Sequence, residues 1–465
     1  MTVQKQITVG LVPLYIALYE RAVPFRRPQM EAFYETVAKA LESRGFKVLR
    51  APICHVKPEF KAAVSGFEAE GAQCLVTIHL AYSPSLESID VLATTKLPIV
   101  VFDTTLVHDF SPMQDPEEIG QCHGIHGVMD MCNLLKRRGK PYAIAAGHLT
   151  ESPVLARVDK LIRAGVAASA LDGMKAASIG GSFDGMGDFA VTDTEMKQRF
   201  GVEVLYPSVE ALTAAADAIT DEEIAAEMAV DYKLGKAVAP IDEGLHARST
   251  RACLAVRRWM DENNVGAYTA NFLNISDSGL STMPFMEAGK AMSRGVGYAG
   301  EGDILTAAFC GALLQGFADT SFVEIFCPDW KGGRVMLSHM GEMNFACADR
   351  PLELTEMNFI YGTAENPVVG FTCFRAGEAV FANLYNDGTG YRLLLAPVTM
   401  DAAPADDRFT CKMRGWLKPA MPVEQFLESI SRAGATHHSV LVYDASVEAL
   451  EYFGRVLGLP VEVLA

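Results

Sequence analysis

The residues best placed to do chemistry are concentrated in the stretch 295–347. Glu301 sits in a Gly300-Glu-Gly-Asp303 turn that opens an apolar helix, and Glu324 falls inside the strand-like run 320–326. His339 follows a second such run, 334–338. Further on, Ala433-Gly-Ala-Thr-His-His438 puts two imidazoles, His437 and His438, where a helix hands over to a strand. Burying a carboxylate without a partner is expensive, so a buried pair of them beside histidine points to a bound cation or a shared proton. Hard oxygens disfavour a thiolate-type metal, while neutral imidazoles tilt the choice from Mg2+ or Ca2+ toward Mn2+, with Co2+ or Zn2+ able to substitute. A plainer reading stands beside this one: Glu301 as a helix cap, Glu324 as a strand residue paired with Arg or Lys, and His339 as a satisfied core histidine.

Positioning these groups requires a large scaffold. From residue 6, short β-rich runs (7–12, 47–51, 74–78, 98–102, 142–146) alternate with helical patterns (28–43, 59–70, 86–94, 117–138, 153–164). That alternation predicts a doubly wound parallel sheet. Ligands of such sheets gather at the carboxyl ends of the strands, which here carry His79, Asp103 and His148, while the long helix begins with His123 and His126. A second α/β segment starts near Met174. Its loop Gly181-Ser-Phe-Asp-Gly-Met-Gly187 matches neither dinucleotide nor P-loop fingerprints and reads as a flexible strand-to-helix turn. After residue 350 closely spaced β-runs (359–361, 368–373, 379–384, 391–398) predict an antiparallel, barrel-like segment. The fold class expected is α/β, with doubly wound N-terminal (1–170) and central (171–317) domains and a mixed, barrel-like β-rich C-terminal domain (318–465) carrying metal ligands.

Bulk properties exclude several functions. A chain of 465 residues exceeds one hydrophobic core, and 50% apolar with 21% charged residues is ordinary for a globular protein. The net charge of −17 speaks against nucleic acid or anionic lipid as a partner, since both need a basic face. No run approaches the roughly 20 apolar residues of a membrane span, and the N-terminus lacks the pattern of a signal peptide, so a cytoplasmic location is expected. Ten scattered cysteines without a C-x-x-C pair read as reduced, mostly buried thiols.

The segments GYAGEGDILTAA, TSFVEIF, LSHMGE and AGATHHSV resemble the four signature segments of the L-arabinose isomerase family, itself similar to the L-fucose isomerases. HLAYSP (79–84), His126-Gly127, AAGHL (145–149) and YRLLL (391–395) follow in the family's order. The resemblance implies a metal-dependent aldose–ketose isomerase working through an enediol, with Glu301, Glu324, His339 and His438 binding a divalent metal, usually Mn2+. It implies that Glu301 and Glu324 exchange protons with a free sugar. It also implies that His437, Phe272 and Leu14 contact the sugar and that His126 reaches a neighbouring subunit's site in a homo-oligomer, a trimer or hexamer. The sugar-contacting shell is altered. Where the family has a G-S-Q-H-L-Y-G-like segment, this chain has Gly10-Leu-Val-Pro-Leu-Tyr-Ile16, with Val12 at the glutamine. The family's H-G-G-R-E is here His126-Gly-Val-Met-Asp130, and His123 replaces a glutamine. Valine cannot hydrogen-bond a substrate hydroxyl, so a pentose, a deoxyhexose and a modified sugar all stand as substrates. Two rivals remain: a catalytically silent sugar-binding or regulatory protein on the same scaffold, and a dinucleotide oxidoreductase, which lacks its glycine fingerprint.

Overall fold

The computed structural model describes residues 6–465, so the first five residues of the expected N-terminal domain lie outside the described ones. The chain divides into two compact units, one running to Ser169 and taking in Glu448–Gly458, the other made of Ala170–Val447 and Leu459–Ala465. The segments 171–317 and 318–465 therefore share a unit, apart from the Glu448–Gly458 excursion.

In the first unit, strands β1 (Thr8–Leu14), β2 (Lys47–Arg50), β3 (Cys74–His79), β4 (Ile99–Asp103) and β5 (Tyr142–Ala146) form a parallel sheet in the order β2-β1-β3-β4-β5. The central β3 is buried along its whole length, Thr77 and His79 included, which is why its apolar residues show no strict alternation. Helices Lys57–Ala69, Ser85–Thr94 and Ile125–Arg137 cover one face through Phe60, Ile89, Val128 and Met131. The excursion docks through Tyr452, whose hydroxyl donates to the carbonyl of Ile99 (2.9 Å). The long helix expected over 117–138 is instead interrupted at His123–Gly124, between Ile119–Cys122 and Ile125–Arg137. The cause is close packing against the end of β3. A Cβ on Gly124 would lie 2.9 Å from the His79 carbonyl oxygen, and one on Gly127 would lie 2.8 Å from the His79 ring.

The second unit holds β6 (Lys175–Ile179), β7 (Glu203–Leu205), β8 (Gly235–Ala237), β9 (Ala267–Ala270) and β10 (Gly297–Gly300). A parallel sheet runs β10-β9-β6-β7. Next come β11 (Thr320–Asp329), β12 (Arg334–Ser338), β13 (Leu352–Glu356), β14 (Val368–Phe371), β15 (Gly377–Asn386), β16 (Tyr391–Asp401), β17 (Gly415–Pro419), β18 (His438–Tyr443) and β19 (Val461–Val463). Strands β15, β18, β11, β12, β17 and β16 pair antiparallel in that order, and β16 returns to β15, closing a six-stranded barrel without free edges. β19 adds parallel to β16, and β8, β13 and β14 make a small separate sheet. The run 359–361, expected as a strand, is irregular: only Phe359 of the three is buried, so no alternating face exists to anchor it. Among the described residues no helix is long and apolar enough to cross a membrane.

Candidate metal centre

Glu301 leaves the end of β10 in a left-handed conformation, φ 62°, between Gly300 and Gly302. Such a conformation costs a non-glycine residue about 1 kcal/mol or more and persists only where the surroundings impose it. Here the fully buried Thr269 straps the turn, its hydroxyl donating to the Gly300 carbonyl (3.2 Å) and accepting from the Gly302 N–H (2.9 Å). The helix Ile304–Gly316 that follows is apolar on all sides and buried on all sides, as such a helix must be. It presses backbone to backbone on β10: a Cβ on Gly297 would sit 2.2 Å from the Gly311 nitrogen. The cap of this helix is Asp303, whose Oδ1 accepts from the Thr306 N–H (2.8 Å), so Glu301 is spared that duty. Its side chain faces His437 and His438 instead, each Nε2 lying 3.5 Å from Glu301 Oε2.

The barrel brings the other donors together by register. In β11 Glu324 stands opposite His438 of β18 on one side and opposite Ser338 of β12 on the other. His339 is the residue after Ser338, and its Nε2 lies 3.5 Å from Glu324 Oε2. Side chains separated by more than a hundred positions thus meet because three adjacent strands are aligned. Asn383 on β15 fixes the approach to β18, its amide donating to the carbonyls of Thr436 (2.9 Å) and His438 (2.7 Å). No Arg or Lys pairs with Glu324 among the described residues; the ion pair it makes is with His339.

Each imidazole is backed by a carboxylate. His339 Nδ1 lies 2.7 Å from Glu342, which also accepts from the Tyr298 hydroxyl (3.1 Å). His438 Nδ1 lies 3.0 Å from Asp303 Oδ2, so Asp303 caps a helix with one oxygen and orients a ring with the other. His437 Nδ1 lies 2.7 Å from Asp188. A carboxylate behind Nδ1 fixes the tautomer and turns Nε2 toward the centre. Burial alone would push the His438 imidazole down, yet Asp303 and Glu301 raise it to about 10, and Glu342 outweighs burial to raise His339. Burial works against ionisation of Glu301, but the His437 and His438 rings hold its carboxyl far below the ordinary range. Glu324 goes the other way, burial raising it against the pull of His339.

The donor atoms form two overlapping groups, Glu301 with His437 and His438, and Glu324 with His339 and His438, each within 4.8 Å of one another. His438 Nε2, the shared corner, is buried with no hydrogen-bond partner. A buried, oriented nitrogen without a partner among carboxylate oxygens is what a divalent ion would complete, and the donor set is compatible with one. Sequence reasoning named Glu301, Glu324, His339, His437 and His438, and the structure brings all five together. It left Asp303, Glu342 and Asp188 without a role, although the first two lie inside quoted segments. Phe272 lies one ring away, its ring 5.2 Å from Phe183, whose N–H donates to the Glu301 carbonyl (3.2 Å). His126 and Leu14 belong to the other compact unit. His126 is exposed and stacked on Tyr82 (4.6 Å), while Leu14 and Val12 are buried in the core beneath the helices.

Comparison with known proteins is consistent across the chain. Residues 179–315 match the family model of the L-arabinose isomerase central domain and residues 319–460 that of the L-arabinose isomerase C-terminal domain. The L-arabinose isomerase of Aeromonas salmonicida (strain A449) is 27% identical over 401 residues, covering 82% of this chain and 79% of that one. That of Salmonella arizonae is 24% identical over 471 residues, covering 94% and 90%, and that of Nocardioides sp. is 28% identical over 351 residues, covering 72% and 68%. With the two domain models spanning more than half of the sequence and the signature residues gathered at one centre, the chain belongs to the L-arabinose isomerase family.

Proposed function

We propose that this protein is a metal-dependent aldose–ketose isomerase acting on a free sugar through an enediol. The observation that carries this reading is the convergence of Glu301, Glu324, His339 and His438 around the unpartnered Nε2 of His438. The relatives named above support it. Mn2+ suits the mixed oxygen and nitrogen set, with Co2+ or another divalent ion as a substitute. When bound, the cation stabilises the negative charge that develops on the sugar oxygens, an effect of several kcal/mol. Glu301 and Glu324 then move the protons, one serving as base at carbon and the other carrying the hydroxyl proton, a role in general contributing on the order of 10²–10⁴-fold. Asp303 and Glu342 keep the two ligating rings aimed inward.

His437 and Phe272 line the sugar, and His126 reaches the site of a neighbouring subunit in a homo-oligomer, a trimer or hexamer; Leu14, given a sugar contact by the resemblance, is buried in the core of its own unit. The three-domain division 1–170, 171–317 and 318–465 and a cytoplasmic location belong to the same reading. With Val12 in place of the family's glutamine and Met129 in place of its arginine, the substrate is a pentose, a deoxyhexose or a modified sugar. The test is a panel of aldoses and ketoses offered to chelator-stripped protein with and without Mn2+. Interconversion that depends on the added metal is expected. A protein that binds sugar and metal yet converts nothing would favour a silent sugar-binding descendant.

A further inference from the structure

The glycine-rich loop 181–189, which matches no phosphate-binding pattern, is tied to the centre at both ends. At its start, Phe183 N–H donates to the Glu301 carbonyl (3.2 Å) and Asn271 Nδ2 donates to the Ser182 carbonyl (3.0 Å). Gly302 comes so close to this part of the loop that a Cβ there would be 2.4 Å from the Gly181 carbonyl oxygen. At its end, one oxygen of Asp188, Oδ2, accepts from both the backbone N–H (3.0 Å) and the ring Nδ1 (2.7 Å) of His437. The next residue, Phe189, lies almost parallel to the His438 ring, 5.1 Å between centroids and 12° between planes.

Two contacts from one carboxylate oxygen leave the His437 ring little freedom. Nδ1 is committed to Asp188, so Nε2 is the atom turned toward Glu301, 3.5 Å away. Among the described residues, the polar partners that hold the ring in that pose are these two carboxylates. The ring itself is about a third exposed. His339 and His438, in contrast, are enclosed and oriented by Glu342 and Asp303.

We propose that Asp188 is a positioning residue: it locks His437 with Nδ1 carrying the proton and Nε2 presented to the substrate, and so governs sugar binding and turnover and leaves the cation affinity alone. This rests on the isomerase reading for its kinetic consequences, but the tautomer it specifies does not. The loop is then the element that couples the Glu301 turn to the His437 ring.

The decisive measurements use metal-loaded wild type and the variants Asp188→Asn, Asp188→Glu, His437→Gln and the double variant Asp188→Asn/His437→Gln, with Asp184→Ala in the same loop as control. Asp188→Asn is expected to lower kcat/KM by about 10- to 100-fold, the usual range for a group that orients another. Asp188→Glu should recover part of that loss, and bound metal per chain should be unchanged. The double variant is expected to be no worse than His437→Gln alone, because the two residues act as one unit. Losses that multiply in the double variant would overturn the proposal, as would loss of metal in Asp188→Asn. Nitrogen NMR of the imidazoles gives a readout independent of activity: the resonance that disappears in His437→Gln should show a protonated Nδ1 in wild type and lose that signature in Asp188→Asn. A wild-type His437 with its proton on Nε2 alone would overturn the proposal even if Asp188→Asn failed to fold. A protein inactive on every sugar would sink the isomerase reading and leave the tautomer experiment to decide this one.

Discussion

Two histidine clusters of this protein, one in each unit, are held in opposite ways. In the unit with the barrel, His339, His437 and His438 each have a carboxylate behind Nδ1, and all three are raised above the ordinary histidine value. In the other unit, His79 at the end of β3 is 4% exposed, has no hydrogen-bond partner for either ring nitrogen, and is pushed down to about 3 by burial. His123 is likewise lowered, by burial and by neighbouring His126, with the Tyr19 hydroxyl 2.7 Å from its Nε2. The same side chain therefore sits among carboxylates that favour a nearby cation in one place and in apolar surroundings that keep it neutral in the other. Net negative surroundings, created by carboxylates without compensating Lys or Arg, distinguish a cation site from a packed imidazole.

That contrast can be broken at several points. The largest effect should come from the glutamates: Glu301→Gln and Glu324→Gln are each expected to lower turnover of the Mn2+-loaded protein by on the order of 10²–10⁴-fold, with an unchanged far-UV circular dichroism spectrum. Retention of most activity by both would show that charge at the centre is not what matters. Next, Glu342→Gln should weaken metal binding by about 10- to 100-fold in a titration calorimeter, because His339 loses the group that orients it. Wild-type affinity in this variant would mean that the sheet alone positions the ring. Metal addition to stripped protein should raise the unfolding free energy by roughly 2.7 kcal/mol at a hundred times Kd, seen as a higher Tm, and His438→Ala should abolish that shift.

The smallest effect concerns the neutral class. Because the folded value of His79 lies below its ordinary 6.5, the unfolded chain binds a proton more readily, and stability is lost as pH falls from 6.5 toward about 3. One such proton gives a slope of roughly 1.4 kcal/mol per pH unit. In His79→Leu, denaturant unfolding between pH 5 and 6.5 should show a slope shallower by about that amount, with metal content unaltered. A slope identical to wild type would place the acid sensitivity elsewhere.

Much of this was legible in the chain. Apolar runs around Glu324 and His339 announced buried strands, and carboxylates do not enter such runs without a reason. Asp303 and Glu342 were within reach of the same logic, since an acid three residues before a helical Thr306 is a cap and an acid three residues after a histidine can meet it. Asp188 gave no signal, because 249 positions separate it from His437 and only the folded loop brings them together. The docking of Glu448–Gly458 on the first unit was equally silent: periodicity shows that a helix has an apolar face and not which sheet will cover it. The break at Gly124 came from contact with His79, a tertiary packing effect that overrides a long helical pattern.

β18 is synthesised after the other five strands of the barrel, yet it occupies an interior slot between β15 and β11 and delivers His438, the corner common to both donor groups. Until residue 443 is synthesised and inserted, a nascent chain has neither a closed wall nor a complete set of donors. Both donor groups are therefore completed only when this strand is inserted, and a chain cut short before it lacks the corner they share.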